Sequence, residues 1–335
     1  MPLRFVIIGG GPAGNTAATT AARLGAEVTM IERDIVGGAA HLLDCIPSKA
    51  MIATAGAMGD VDASSGMGLS VSDAQLDLEG LRQRIKAIEG RLEHNIVDLL
   101  TSQGVQMVPG TARLEGPHQV VADTAEGVRE FEADAILLST GSRPRIPDWA
   151  TPDGDRILTT RDAYPPNDLP SHLVVIGSGV TGVEFVHMFS SLGSEVSLLV
   201  SRQQVLPQKD PEVAAALESE LLRRGVHLLK GARADGIDRP EGGGVAVHCE
   251  DGRVATGSHA LLAIGSIPNS DGLGLDAAGV EVDASGYVPI NHHCITNVSH
   301  IYAAGDVSGK LPLSSVAAMQ GRKIAEHVMG LHTRV

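Results

Sequence analysis

The chain has 335 residues, with 26 Lys and Arg against 40 Asp and Glu and a formal net charge of −14. Such an acidic surface repels phosphate backbones and anionic lipid, and one Trp, three Tyr and four Phe offer few rings for base stacking, so nucleic-acid and anionic-membrane binding are excluded. The length exceeds the roughly 250–300 residues at which a single core stops growing, so two domains with cores of Ala, Val, Ile and Leu are expected.

The first ten residues carry one positive charge and a short apolar run that meets glycines, the pattern of a buried strand and not of a secretion signal. Val6-Ile7-Ile8 leads into Gly9, Gly11, Pro12, Ala13 and Gly14, then an Ala-rich helix, a stop at Gly25 and a second apolar strand ending Met30-Ile31-Glu32. The same unit returns 168 positions later, as Val174-Val175-Ile176, then Gly177, Gly179, Val180, Thr181 and Gly182, then Leu192-Gly193 and Glu195-Val196-Ser197. Each copy holds G-x-G-x-x-G between a strand and a helix. The first Gly permits the tight turn, the second lets the backbone approach a pyrophosphate, and the third lets helix and strand pack closely. The helix N-terminus then offers its N–H groups to the phosphates. Two ordinary Gly-rich turns are the plain alternative, but the repeated context predicts two dinucleotide sites.

The copies differ where the second strand ends. Glu32, followed by Arg33, sets a carboxylate where a ribose 2′-hydroxyl would donate. The matching position is Val200, followed by Ser201 and Arg202, a hydroxyl and a guanidinium suited to a 2′-phosphate. The second site is therefore expected to take NADP(H); if Arg202 is only a solvated charge, it takes NAD(H).

Between the copies, Leu81, Ile85, Ile88, Leu92, Ile96 and Leu99 recur at helical spacing and predict an amphipathic core-packing helix. Strand-like runs follow at 105–114, 119–122 and 128–138, then a turn at 139–144, and a linker rich in Pro, Gly and Asp at 147–155. Past the second copy, Asp210-Pro211 predicts a capped helix stopping at Gly225, and a turn around Gly265 resembles the one at 139–144. Three cysteines, at 45, 249 and 294, with no CxxC, exclude a disulfide scaffold and a zinc pair. Cys249 reads as a packing residue. His292-His293-Cys294 is read as a strand end whose adjacent side chains face opposite ways and so do not share a metal ion. No run of about 18 apolar residues is present, so no membrane span is expected and the cytoplasm is the default compartment.

These motifs resemble the pyridine nucleotide–disulfide oxidoreductases, the flavoprotein family of lipoamide dehydrogenase, glutathione reductase and mercuric reductase. The likeness covers the whole chain. It implies an α/β fold of two Rossmann-like domains, each of three ββα layers, with a discontinuous FAD domain (1–150 and 270–335) around a NAD(P) domain (151–269). Gly9, Gly11, Pro12, Ala13, Gly14, Glu32 and Arg33 look like the FAD site, joined by Gly38, Ala39 and Ala112. Ser139-Thr140-Gly141 is similar to the family's A-T-G turn. Ile301-Tyr302-Ala303-Ala304-Gly305-Asp306 is similar to its second FAD motif, whose Asp contacts the ribityl chain. By the same resemblance Lys49 sits near flavin N5 in a buried pair with Glu184, or else Glu184 is an ordinary helix acid. Pro312, Leu313 and Ser314 open a helix aimed at the flavin pyrimidine, and Cys45 lies beside the isoalloxazine, or else is a small buried hydrophobe.

Two departures carry the functional expectation. Where the family has G-G-T-C-x-x-x-x-C-x-x-S-K, this chain has Gly37-Gly38-Ala39-Ala40 and then only Cys45 before Ser48-Lys49. A disulfide relay needs two sulfurs, so exchange with lipoamide or glutathione is not expected. The family also runs on into an interface domain that forms the dimer and supplies a His–Glu pair. This sequence ends at Val335, so either it is cut short or the protein lacks that domain, and the oligomeric state is left open. The motif is similar to that of the branch lacking the first cysteine, the NAD(P)H dehydrogenases acting on quinones. The expected activity is therefore hydride transfer from NAD(P)H to FAD and on to a small quinone-type acceptor. An NAD(P)H oxidase or peroxidase working through Cys45, or a catalytically weak redox-binding protein, is the alternative. His41 offers a hydrogen bond to a quinone oxygen unless it is already satisfied or solvent-facing.

Overall fold

The structure, a computed structural model, describes residues 1–68 and 74–331. The last residues of the expected FAD domain, 332–335, lie outside the described residues. The first repeat is β1 (Arg4–Ile8), α1 (Pro12–Arg23) and β2 (Glu27–Glu32). A π-helical stretch, Ala40–Cys45, runs into α2 (Ile46–Ser64) and is followed by α3 (Leu78–Ser102). Then come β3 (Gln106–Pro109), β4 (Thr111–Gly116), β5 (Gln119–Thr124), β6 (Gly127–Glu132), β7 (Ala135–Leu138), β8 (Ser142–Pro144) and β9 (Ile157–Thr159). The second repeat is β10 (His172–Ile176), α4 (Val180–Ser191) and β11 (Glu195–Val200), followed by α5 (Pro211–Arg223) and β12 (His227–Lys230). The remainder is β13 (Ala234–Asp238), β14 (Val245–Cys249), β15 (Val254–Gly257), β16 (His259–Leu262), β17 (Ser266–Pro268), β18 (Ile301–Ala303) and α6 (Ser314–Val328).

The chain forms two compact units, the first from residues 1–45, 87–143 and 267 onward, the second from 46–86 and 144–266. In the first, a parallel sheet ordered β18-β7-β1-β2-β3 has a different layer on each face. Val6, Ile8, Ile31, Ile136 and Leu138 pack with Leu114, Val120 and Ala122 of the antiparallel β4-β5-β6 sheet. The alternate residues Phe5, Ile7, Met30 and Leu137 pack with Ala13, Ala17, Ala18 and Ala21 of α1 and Ile324 and Ala325 of α6. That alternation is the period-2 geometry of a strand covered on both sides. Small residues let the two helices approach: a Cβ on Gly321 would stand 2.1 Å from the Ala13 carbonyl oxygen.

The second unit repeats the plan. Its parallel sheet is ordered β12-β11-β10-β16-β9, and Val174, Ile176, Leu199 and Leu262 pack with Val245, Val247 and Cys249 of the β13-β14-β15 sheet. α4 lies against β10 and β11. The α/β fold of two Rossmann-like ββα units expected from the sequence is therefore present.

Several local expectations are corrected. Residues 46–86 go with the second unit and not the first, because α2 packs against α4 and Arg82 of α3 donates to the carbonyls of Pro166 and Asn167. The run 105–114 is two strands in two sheets, broken at Gly110, where a Cβ would be 2.6 Å from the Asp123 carbonyl oxygen. The run 128–138 is likewise divided between β6 and β7. On α3 the buried stripe ends on Leu100, while Leu99 is exposed. The 147–155 stretch has no helix or strand, as a linker would, and Asp153 Oδ1 accepts from the N–H groups of residues 155, 156 and 157. His292-His293-Cys294 is a turn and not a strand end, with Cys294 left-handed at φ +62 and the two imidazole rings 4.0 Å apart. Among the described residues no group of three His, Cys, Asp or Glu is placed to hold a metal.

His259 at the start of β16 is 1% exposed, with the Arg156 guanidinium 2.9 Å from Nε2 and Ser258 Oγ 2.9 Å from Nδ1. Burial first, and the neighbouring guanidinium second, push its pKa below the ordinary value. The neutral form is thus favoured in the folded state. Its contribution to stability is complete above the unfolded pKa of about 6.5 and is lost as pH falls below it, because the unfolded chain takes up the proton first. Stability measured by urea unfolding is expected to fall between pH 7 and 5, and His259→Gln is expected to reduce that slope. An unchanged slope would show that other groups set it.

Candidate cofactor and redox site

The two glycine turns have the same construction. Gly9 has φ +105, and a Cβ there would lie 2.4 Å from the Ser139 carbonyl oxygen where β1 passes β7. A Cβ on Gly14 would lie 2.1 Å from the Gly9 carbonyl oxygen. In the second unit Gly177 has φ +109 and would meet the Ala263 carbonyl oxygen at 2.4 Å, and Gly182 would meet that of Gly177 at 1.9 Å. The first and third glycines are therefore demanded by the protein's own packing. The middle ones are not: a Cβ on Gly11 would meet nothing nearer than Gly38 Cα at 3.9 Å, and one on Gly179 nothing within 4 Å. The fold leaves space where a pyrophosphate would approach.

The helices beyond these turns are open at their N-termini. α1 and α4, with Gly11 and Gly179 as N-caps, have no side-chain cap and no acid in the first turn, and α6 has no side-chain cap on Leu313. By contrast α5, assigned no ligand, is capped by Asp210, which accepts from the Glu212 N–H at 2.8 Å. Uncapped N–H groups with a positive dipole end suit phosphate or a reduced ring. Asn15, in the first turns of α1, has a buried Oδ1 without a hydrogen-bond partner. The residues present thus fit a dinucleotide at each turn.

Around the first turn the expected residues are linked. Gly10 N–H donates to Glu32 Oε2 at 2.6 Å and Asp34 N–H to Oε1 at 2.7 Å, which fixes the carboxylate at the end of β2. Gly37 N–H donates to the Gly10 carbonyl, and Gly38, at φ +83, sits so close that a Cβ would be 2.5 Å from Gly11 Cα. Thr140 Oγ1 donates to the Asn269 carbonyl, and Asn269 Nδ2 returns a bond to the Thr140 carbonyl, holding the turn before Gly141. Asp306, after Gly305, accepts from Ser142 Oγ at 2.6 Å. Pro12 begins α1, and Ala39 precedes the π-helical stretch. Pro312 and Leu313 are exposed and α6 begins at Ser314. Arg33 pairs with Asp34 at 2.9 Å, and Ala112 of β4 is buried in the core of the first unit. Sequence reasoning missed Gln320, a buried side chain whose Oε1 accepts from Gly305 N–H at 2.8 Å. Its signal was a polar residue at core-facing spacing between Ala317 and Ile324.

At the second turn, Val180 and Thr181 are exposed at the start of α4, Val200 is buried, and Ser201 and Arg202 are exposed where β11 ends. Gly265 has φ +94 and open space around it.

In the redox segment, Gly38 carbonyl accepts from the N–H groups of His41 and Leu42, and Leu42 is fully buried. Cys45 is partly exposed, and Cys45, Cys249 and Cys294 form no disulfide. Cys249 and Cys294 each lie in the hydrophobic core of their own unit. The buried Lys49–Glu184 pair is not found. Lys49 is exposed, no ion pair joins it to the half-buried Glu184 on the neighbouring α4, and α2 turns Ser48 inward instead, with Oγ buried and without a partner.

A family profile described as pyridine nucleotide-disulphide oxidoreductase matches residues 3–321. A protein of Mycobacterium tuberculosis named NAD(P)H dehydrogenase (quinone) is 43% identical over 98% of this chain and 69% of its own length. A dihydrolipoyl dehydrogenase of Zymomonas mobilis is 33% identical over 97% of this chain and 71% of its own. Among solved structures, LpdA from Mycobacterium tuberculosis superposes with a TM-score of 0.92 at 42% identity, covering 99% of this chain and 73% of that one. The family is one of flavin- and pyridine-nucleotide-dependent oxidoreductases. The chain belongs to the pyridine nucleotide-disulphide oxidoreductase family.

Proposed function

We propose that the protein is an FAD-dependent NAD(P)H:quinone oxidoreductase that works without a dithiol relay, in the cytoplasm, and prefers NADPH. The observation that carries this is Ala40, which stands one π-helical turn before Cys45 where a second sulfur would be needed, while the other two cysteines are held in hydrophobic cores. The chemistry the bound cofactors supply is hydride transfer from nicotinamide C4 to flavin N5. The chain's own part is to hold the adenine-side ribose with Glu32, to leave Gly11 and Gly179 clear for pyrophosphate, and to turn uncapped helix ends toward negative charge. The relative named NAD(P)H dehydrogenase (quinone) supports the acceptor class. Among the described residues no helix is long and apolar enough to cross a membrane.

The test is an anaerobic titration of the purified protein with NADPH, followed by turnover with menadione and with lipoamide. Two reducing equivalents, menadione turnover and no lipoamide turnover are expected. Lipoamide turnover at a comparable rate would overturn the reading. For the nucleotide, Arg202→Ala is expected to raise KM for NADPH roughly tenfold, as loss of one exposed charge-assisted hydrogen bond should, with KM for NADH changed less than about twofold. Equal effects on both would remove Arg202 from 2′-phosphate recognition.

A further inference from the structure

His41 is the second residue of the π-helical stretch, next to Ala40 and within the first unit. Its backbone is fixed, since its N–H donates to the Gly38 carbonyl at 3.1 Å. Its side chain is neither satisfied nor fully solvent-facing. Nδ1 is buried and has no hydrogen-bond partner. Nε2 makes no hydrogen bond to a described residue and yet is not among the buried atoms left without a partner, so it reaches the surface.

That asymmetry decides the proton. A buried N–H with no acceptor costs about 1–3 kcal/mol, so the single proton of the neutral ring belongs on Nε2, where something outside the protein can accept it. Forming the imidazolium would place a second, unanswered N–H on Nδ1. Burial accordingly lowers the pKa of His41. The ring is a neutral donor at neutral pH, held at the open end of the turn that carries Ala40.

We propose that the Nε2–H of His41 donates a hydrogen bond to a carbonyl oxygen of the quinone acceptor and orients it beside the Ala40–Cys45 turn. This rests on the quinone reading above. The oxygen it meets gains negative charge as the quinone is reduced, so the bond strengthens along the reaction. His41 is a positioning group and not the proton source. Reduction of quinone to hydroquinone needs two electrons and two protons; a hydride brings both electrons and one proton, and water supplies the other, while Nε2 keeps its own.

The experiment measures menadione binding to the flavin-loaded, oxidised protein by calorimetry, without nicotinamide. His41→Leu is expected to raise Kd roughly tenfold, as loss of one hydrogen bond does, while His41→Gln, which returns an N–H at a similar reach, stays within about threefold of wild type. Both variants should retain flavin. In parallel, nitrogen-15 NMR of the wild type is expected to show the Nε2–H tautomer of His41 at pH 7 and a shift of that nitrogen on adding menadione. Menadione that binds wild type and His41→Leu equally, with no change at the imidazole, would overturn the role of His41 and leave the quinone reading standing. Absence of menadione binding to wild type would overturn both. Should His41→Leu lose its flavin, the wild-type NMR titration decides alone.

Discussion

Gly179→Ala is expected to fold like the wild type, keep its flavin and bind NADPH and NADH roughly 10–100-fold more weakly. The backbone at Gly179 has φ −71 and ψ −175, extended geometry that alanine adopts without strain, and the added Cβ meets nothing within 4 Å. The folding cost is therefore limited to alanine's poorer N-capping, about 0.5–1 kcal/mol. The methyl instead occupies the space through which a pyrophosphate would reach the N–H groups of α4, and overpacking of about 1–3 kcal/mol converts to the loss of affinity stated. Three residues on, the outcome inverts. Gly182→Ala would put Cβ 1.9 Å from the Gly177 carbonyl oxygen, a collision with backbone and not with the end of a flexible side chain. Urea unfolding is expected to show a loss of about 3 kcal/mol or more. Gly179→Ala that binds NADPH as tightly as wild type would show that the pyrophosphate lies elsewhere, and a Gly182→Ala of normal stability would show that α4 and β10 do not meet as described.

This contrast also explains which parts of the protein can be read from the sequence. The glycines at 14 and 182 are legible because their collisions, with the carbonyls of Gly9 and Gly177, are set within one strand–turn–helix unit. Those at 9 and 177 are legible only through the repeated motif, since the carbonyls they would meet, of Ser139 and Ala263, come from the end of a distant strand. The apolar alternation of β1 is legible locally, since period-2 burial on both faces writes Phe5, Val6, Ile7 and Ile8 as a continuous run. What periodicity cannot say is which partner covers a face. The stripe on α3 announces burial, but only the packing of α2 against α4 and the bonds of Arg82 to Pro166 and Asn167 assign residues 46–86 to the second unit. The core-facing spacing of Gln320 is legible, but not its partner, the N–H of Gly305, which lies across a turn and a helix. Lys49 and Glu184 show the same limit: the resemblance implies their pairing and the structure packs their helices together, but the resemblance does not set which face of α2 turns inward.

The largest gain of function is expected from Ala40→Cys. Ala40 and Cys45 are the two ends of the π-helical stretch, related as i and i+5, which is the hydrogen-bonded spacing of that helix. Residues so related stand above one another across one turn, so a thiol at position 40 is brought toward the Cys45 sulfur by backbone geometry that the protein already has. A disulfide needs Cα atoms within about 4.4–6.8 Å and side chains that converge. The residue replaced is a half-buried alanine that differs from cysteine by one sulfur, so the cost to packing is small. The oxidised variant is expected to lose the reactivity of Cys45 toward a thiol reagent and to recover two thiols after reduction. In an anaerobic titration with NADPH it should take up four electrons where the wild type takes two, because the new disulfide stores a second pair. Turnover with lipoamide should then appear, while menadione turnover persists because its route from the flavin needs no sulfur. If both thiols of the variant react in the oxidised protein and the titration still ends at two electrons, the two positions do not meet across the turn, and the alanine is not what keeps this chain from disulfide chemistry.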